Sequence, residues 1–206
     1  MNLALVFLAL FLQAPVANSP VHTGKTPEAK RVQLRIQTEM GNIDIEVDAE
    51  HAPITAANFL RYVDGGHYKN GRVHRTVKTN PDNQPDKRVK IEVIQAGVDP
   101  TRDKEGFPPI LLERTSVTGI KHRDGTISMA RSEPDSAKSD FFLCIGEQPE
   151  LDFGGKRNPD GQGFAAFGRV TQGMDIVRKI QNAPAEGQKL TPPVKILDIV
   201  RMKSVK

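Results

Sequence analysis

Val73-His74-Arg75-Thr76-Val77, a proline- and aspartate-rich interruption, and then Ile91-Glu92-Val93-Ile94-Gln95-Ala96-Gly97 form the stretch from which the rest of the chain can be read. Both ends alternate and are rich in β-branched residues, the pattern of neighbouring strands that send side chains to two faces. One face carries Arg75, Val93 and Gln95. A permanent charge, an apolar wall and a carboxamide are poor core material, but they suit a floor on which a peptide lies.

Two more short strands are predicted at Thr126-Ile127-Ser128-Met129-Ala130 and Ser139-Asp140-Phe141-Phe142-Leu143. Upstream, Val32, Leu34 and Ile36 alternate with polar residues, turn at Thr38 to Asn42, and resume at Ile43, Ile45 and Val47, which reads as a β-hairpin. Pro53 opens a helix on which Ile54, Ala57, Leu60 and Val63 recur until Gly65-Gly66 stops it. Met174, Val177 and Ile180 mark a second helix. Phe164 to Val170 and Val194 to Met202 read as strands, and Ile110 to Glu113 as a short one. Many strands, frequent turns and two helices point to a mainly β protein, a barrel capped at its ends.

With 206 residues, 37% hydrophobic and 26% charged, the chain fits one globular domain and neither a membrane bundle nor wholesale disorder. Its net charge of +4 is spread without a dense basic cluster, which excludes a nucleic-acid groove. Cys144 is alone, so an internal disulfide and a thiolate zinc site are both excluded. His51, His67 and His74 have no metal-ligand spacing, and the expectation is no metal and no cofactor. His122-Arg123-Asp124 lacks the asparagine a kinase loop needs, because Met129 occupies that place, and there is no Gly-x-Ser-x-Gly elbow.

Leu3 to Leu12 is apolar, too short to span a bilayer and the right length for the core of an export signal, with small residues and prolines after it. The expected organisation is a signal peptide over residues 1–19, a flexible spacer over 20–31 and one folded domain over 32–206, so that the mature protein is periplasmic or secreted and free of the membrane.

The His-Arg strand, Ile-Gln-x-Gly, Ser-Met-Ala and Ser-x-Phe-Phe, in that order, resemble the cyclophilins from about Val32 to the C-terminus. The resemblance implies a closed eight-stranded antiparallel barrel and a peptidyl-prolyl cis-trans isomerase that acts, as a monomer, on proline-containing polypeptides, assisting the folding of exported proteins. It implies Arg75 as the catalytic guanidinium. Gln95 would hold the substrate backbone, Val93, Phe142 and Leu151 would hold the prolyl ring, and Ala130 would form the rim. Against the family pattern, Glu92 and Glu150 stand where aromatic residues are usual, Arg131 replaces an asparagine, Asp140 a glutamine, and Phe164 a histidine. Lys78 to Lys90 is about a dozen residues longer than the family's link. A carboxylate at Asp140 is expected to pair with Arg75 and compete with the substrate. The alternative to an efficient isomerase is a catalytically weak module of the same fold that binds proline-containing segments.

Overall fold

Strands β1 (Arg31–Thr38) and β2 (Gly41–Asp48) form the expected hairpin, with Val32 opposite Val47, Leu34 opposite Ile45 and Ile36 opposite Ile43, all buried on one face. A computed structural model describes residues 30–202, so the leader and nearly all of the spacer lie outside the described residues. After the hairpin come α1 (Pro53–Asp64), β3 (Arg72–Val77), β4 (Val93–Gly97), α2 (Thr115–Thr118), β5 (Thr126–Met129), β6 (Phe141–Cys144), β7 (Ala165–Gln172), α3 (Met174–Gln181), β8 (Ala185–Glu186) and β9 (Lys189–Arg201). Strand order is β1-β2-β7-β5-β6-β4-β3-β9, and β9 pairs back onto β1. Every pairing is antiparallel, which gives a closed eight-stranded barrel with the two-residue β8 added beside β9. Closure removes the free edges that an open sheet would expose.

Alternation sorts the side chains. Ile94, Ala96, Phe141, Leu143, Ile127, Met129 and Phe167 point inward and join the hairpin residues in one buried cluster. Helix α1 adds Phe59, whose ring centroid lies 5.3 Å from those of Tyr68 and Phe141 and 5.1 Å from that of Phe167. The face that α1 buries differs from the one expected from sequence. Ile54 and Ala57 are exposed, and the buried stripe is Ala56, Phe59, Leu60 and Val63. An exact three-residue repeat drifts about 60° per step on a helix of 3.6 residues per turn, so 54 and 57 rotate away from the face that 60 and 63 bury.

Two further expectations are corrected. Besides the two capping helices there is a third, the single turn α2. Ile110 to Glu113 is not a strand, since only Ile110 bridges, to Ala137, and Leu111 is exposed. The segment is held by side-chain chemistry: Leu112 N donates to Asp135 Oδ1 at 2.8 Å, and Glu113 accepts from Ile54 N at 3.0 Å and Thr55 N at 2.7 Å. Those amides belong to the uncapped first turn of α1, whose N-cap Ala52 has no side chain to offer, so a remote carboxylate satisfies them.

Phe59→Ala is expected to destabilise the fold by about 3–5 kcal/mol, by loss of burial plus a cavity. Ala57→Ser on the same helix should change stability by less than about 0.5 kcal/mol. Chemical denaturation of the two variants measures both, and equal effects would contradict this packing.

Candidate active site

In a regular strand Val73, Arg75 and Val77 would share a face. They do not, because β3 carries one residue in excess: Val73 opposes Ala96 while Arg75 opposes Gln95, with the register shift between Val73 and Arg75 repeated against β9. Val73 and Ala96 face the core, whereas Arg75 and Gln95 face out of the barrel. The bulge turns the guanidinium away from the interior, where an unpaired charge would be prohibitively desolvated.

Outward-facing Val77, Val93, Phe142 and Cys144 of β3, β4 and β6, together with Ile91 and Leu151 from the connecting segments, make a second, smaller apolar cluster, with Ala130 and Phe164 packed against it. Phe142 is fixed on both sides, by the edge of Phe164 (centroids 5.4 Å, planes at 89°) and by the stacked ring of His122 (5.9 Å, 15°). Above this floor is a depression of about 280 Å³, lined also by Arg75, Gln95, Arg131 and Arg157. A neighbouring depression of about 580 Å³ shares Gln95, Ala130 and Arg131 with it and extends over Asp140. Together they make a groove with an apolar pit.

Arg75 is held by two carboxamides. Its Nε and Nη2 donate to Gln188 Oε1 at 2.9 and 2.6 Å, and its Nη1 donates to Gln95 Oε1 at 2.9 Å. Gln188 is itself fixed, through Nε2, on Asn83 O at 2.9 Å. Three of the five guanidinium N–H groups are used, which leaves two for a guest. Burial lowers the Arg75 pKa from its ordinary value, and the group remains charged at any ordinary pH.

Of the residues singled out from sequence, Arg75, Val93, Gln95, Ala130, Arg131, Phe142, Leu151 and Phe164 line this one depression. Asp140 stands apart from it. Among the described residues Arg75 and Asp140 form no direct ion pair. Asp140 Oδ2 instead accepts from Gln95 Nε2 at 3.2 Å and lies 3.6 Å from His74 Nε2. The expected competition with substrate for Arg75 is therefore corrected: the carboxylate orients Gln95, whose oxygen then faces Arg75. Gly97 makes the room, because a Cβ there would sit 2.1 Å from Asp140 Oδ1.

The unusual charged residues turn toward neighbouring loops and the end of α3. Glu92 accepts from Gln181 Nε2 at 3.0 Å and from the Thr79 hydroxyl, and Glu150 accepts from Lys156 N at 2.7 Å. Arg131 holds Gly163 O at 2.8 Å and both oxygens of Asp160 at 2.7 and 3.0 Å, with its guanidinium carbon 5.1 Å from the Phe164 ring centroid. Sequence reading missed Ile91, which supplies a pocket wall, and the polar supports Gln188, Gln84 and Arg157. Ile91 carried a signal in its β-branched run. Gln188, 113 residues from Arg75 in a polar turn, carried none.

One arrangement resembles a nucleophile triad. His122 Nε2 lies 2.9 Å from Ser128 Oγ and its Nδ1 2.8 Å from Asp152 Oδ1. Ser128 is completely buried on β5 and His122 nearly so, so no substrate reaches the hydroxyl, and the chain of bonds serves to hold the ring behind Phe142. Cys144 is equally enclosed, and burial raises its thiol pKa far above the ordinary range. Among the described residues no group of three His, Cys, Asp or Glu could hold a metal, and no helix is long and apolar enough to cross a membrane.

Comparison with known proteins agrees with this geometry. Residues 33–201 match the family described as cyclophilin type peptidyl-prolyl cis-trans isomerase/CLD. A peptidyl-prolyl cis-trans isomerase of Acinetobacter baylyi is 33% identical over 178 residues, covering 84% of this chain and 86% of that one. Peptidyl-prolyl cis-trans isomerase B of Escherichia coli K12 is 32% identical over 150 residues, 72% of this chain and 83% of its own. Among crystal structures, a Cryptosporidium parvum cyclophilin type peptidyl-prolyl cis-trans isomerase, solved in the presence of the dipeptide Ala-Pro, aligns with a TM-score of 0.66 at 25% identity, covering 84% of this chain and 99% of that one.

Burial has a further consequence for His122. It pushes the imidazole pKa below its ordinary value, against the opposing pull of Asp152, and burial does the same to His74 against Asp140. Above about pH 6.5 both rings are neutral whether the chain is folded or not; below it the unfolded chain takes up protons that the fold resists. Stability should therefore fall as pH drops from 7.5 toward 5. Denaturant midpoints across that range should fall less steeply in His122→Gln than in wild type, and identical slopes would contradict the assignment.

Proposed function

The chain belongs to the cyclophilin-type peptidyl-prolyl cis-trans isomerase family and is such an isomerase, and we propose that it works through Arg75 and the outward pit on exported proteins. The barrier to rotation about an Xaa-Pro bond is lost amide resonance, about 18–20 kcal/mol. Lowering it requires an environment that favours the twisted amide, with no proton transfer to a solvent-exposed base. Val93, Phe142 and Leu151 supply a dry seat for the prolyl ring, as do their neighbours Ile91 and Phe164. The two remaining Arg75 N–H groups donate to the prolyl backbone beside that seat. Because the prolyl nitrogen has an available lone pair only after conjugation is broken, the donor acts more strongly on the twisted state than on either planar one.

The observation that carries this reading is a charged guanidinium, fixed by two neutral carboxamides, at the edge of an otherwise apolar pit. Its placement needs no carboxylate partner, so its charge is undiminished. Gln95 offers its amide group to the neighbouring groove, where the substrate chain continues. The Ala-Pro dipeptide present with the Cryptosporidium relative supports proline-containing segments as the ligand class. Export is supported by the apolar Leu3 to Leu12 run and the small residues after it, and places the enzyme, acting as a monomer, among folding proteins outside the cytoplasm.

In a protease-coupled assay on Xaa-Pro peptides the wild type should exceed the uncatalysed rate. Arg75→Ala should lower kcat/KM by tenfold or more, about 1.4 kcal/mol of transition-state stabilisation. Asp140→Asn, which keeps an acceptor for Gln95, should stay within about twofold, while Asp140→Ala should lose more. A folded wild type that binds such peptides without accelerating them would leave only the binding module. Export predicts that N-terminal sequencing of the protein from its native host begins after the apolar run; an intact Met1 on the mature protein would rule it out.

A further inference from the structure

Besides Arg75, three cations line the pit: Lys87, Arg131 and Arg157. Arg131 is neutralised by Asp160. The others are not. Arg75 bonds only to carboxamide oxygens, and Arg157 Nη1 donates to Gln84 Oε1 at 3.0 Å and Val89 O at 2.6 Å, both uncharged acceptors. Among the described residues neither guanidinium nor Lys87 forms an ion pair, and the lining of the pit contains no aspartate or glutamate. On the far side of the barrel Arg35 is paired with the carboxylate of Asp44, and within the pit Arg131 is paired with Asp160, so Arg75, Arg157 and Lys87 differ from both.

The two free guanidiniums feel each other. Burial lowers the Arg157 pKa and the charge of Arg75 lowers it further, an adverse interaction that a bound anion would relieve. Arg157 is also the clasp between two loops, since it sits in residues 154–163 and holds Gln84 and Val89 of residues 78–90. Gln84 in turn bonds both main-chain groups of Ile91, donating to its carbonyl at 2.8 Å and accepting from its amide at 3.1 Å. The cationic wall is thus preorganised on the apolar wall, and the cost of ordering it is met before a ligand arrives.

We propose that Arg157 and Lys87 form an anion subsite, so that the enzyme selects prolyl segments bearing a carboxylate next to the proline, as an acidic side chain or a free C-terminus. The proposal rests on the prolyl ring occupying the Val93–Phe142 pit. A carboxylate beside it meets the Arg157 fork and the exposed charge of Lys87, while Arg75 stays on the prolyl backbone. Segments with lysine or arginine in that place meet like charge and are disfavoured.

The test measures dissociation constants by NMR titration of the full chain. The probes are acetylated, amidated peptides with Glu, Gln or Lys immediately before or after the proline, and a Gln peptide ending in a free prolyl carboxylate. In low salt, at least one carboxylate peptide should bind about three- to tenfold more tightly than its neutral counterpart and the Lys peptide more weakly, with the gap narrowing as salt shortens the Debye length. Which carboxylate peptide gains shows whether the source is a side chain or a chain end. Arg157→Gln should remove the preference. Because that change also loosens the loops, Lys87→Glu, an exposed reversal, is the second variant and should shrink the gap at least twofold. Equal affinities of Glu, Gln, Lys and free-carboxylate peptides would overturn the subsite, as would an undiminished preference in Lys87→Glu. Exchange spectroscopy on the Gln peptide reports turnover in the same samples, so a failed isomerase and a failed subsite give different results.

Discussion

A barrel closed on itself has no edge and, once its alternate side chains meet inside, no interior space. Whatever it binds must be bound on the outer face or at a rim. For β3 that constraint would be fatal without its extra residue, since regular alternation would drive the Arg75 guanidinium inward beside Val73 and into contact with Ala96 and Ile94. The bulge at His74 changes the side on which Arg75 emerges and leaves Val73 in the core. One residue of register separates a charge buried in the core from one that faces the outer pit. The remaining parts of the site follow from ordinary alternation: Val93 and Gln95 outward on β4, Phe142 outward on β6, and their odd or even neighbours inward.

Two loops complete what the strands begin. Residues 78–90 bring Asn83 to Gln188, and so to Arg75, and bring Gln84 to Ile91. Residues 154–163 bring Asp160 to Arg131 and Arg157 back to Gln84. Glu92, Glu150 and Arg131, which stand where the family pattern has aromatic residues or an asparagine, are the anchors of this loop layer. The exchange is physically coherent: a pocket that lacks the family's aromatic residues at 92 and 150 has apolar walls from Ile91 and Phe164, held in place by hydrogen bonds and the Arg131–Asp160 ion pair. It also explains why the pit is positive, since Asp160 is paired with Arg131 and Asp82 with Lys90, while among the described residues Arg157 and Lys87 have no carboxylate partner.

The barrel was legible because alternation is a one-dimensional signal, which the hairpin shows without interruption, while β4 and β6 are short apolar runs recognisable by their bounding turns. That Val93, Phe142 and Leu151 share one apolar pit was legible from the family's strand motifs. Three things were not. A bulge leaves no mark in a five-residue string, so the emergence of Arg75 could be assumed only through its partner Gln95. The phase of α1 is set by what it packs against, and an Ile54–Ala57 spacing that looks apolar ends in solvent. The partners of long polar side chains are fixed by distant backbone: Gln188 meets Arg75 from the turn that pairs beside β3, Glu113 caps α1 from a segment that resembles a strand, and Asp140 bonds Gln95 rather than Arg75.

The central claim is that the prolyl bond rotates over the outer face of β3, β4 and β6, with Arg75 as the donor. Exchange spectroscopy of an Xaa-Pro peptide with isotopically labelled protein tests it most directly, because it reports turnover and the place of contact in one sample. The account predicts cis–trans exchange peaks that need the protein, together with shifts at the Arg75 Nε–H and Gln95 side-chain amide resonances and at the Val93 and Phe142 side chains. Catalysed exchange with those resonances unmoved would place the chemistry elsewhere and contradict it.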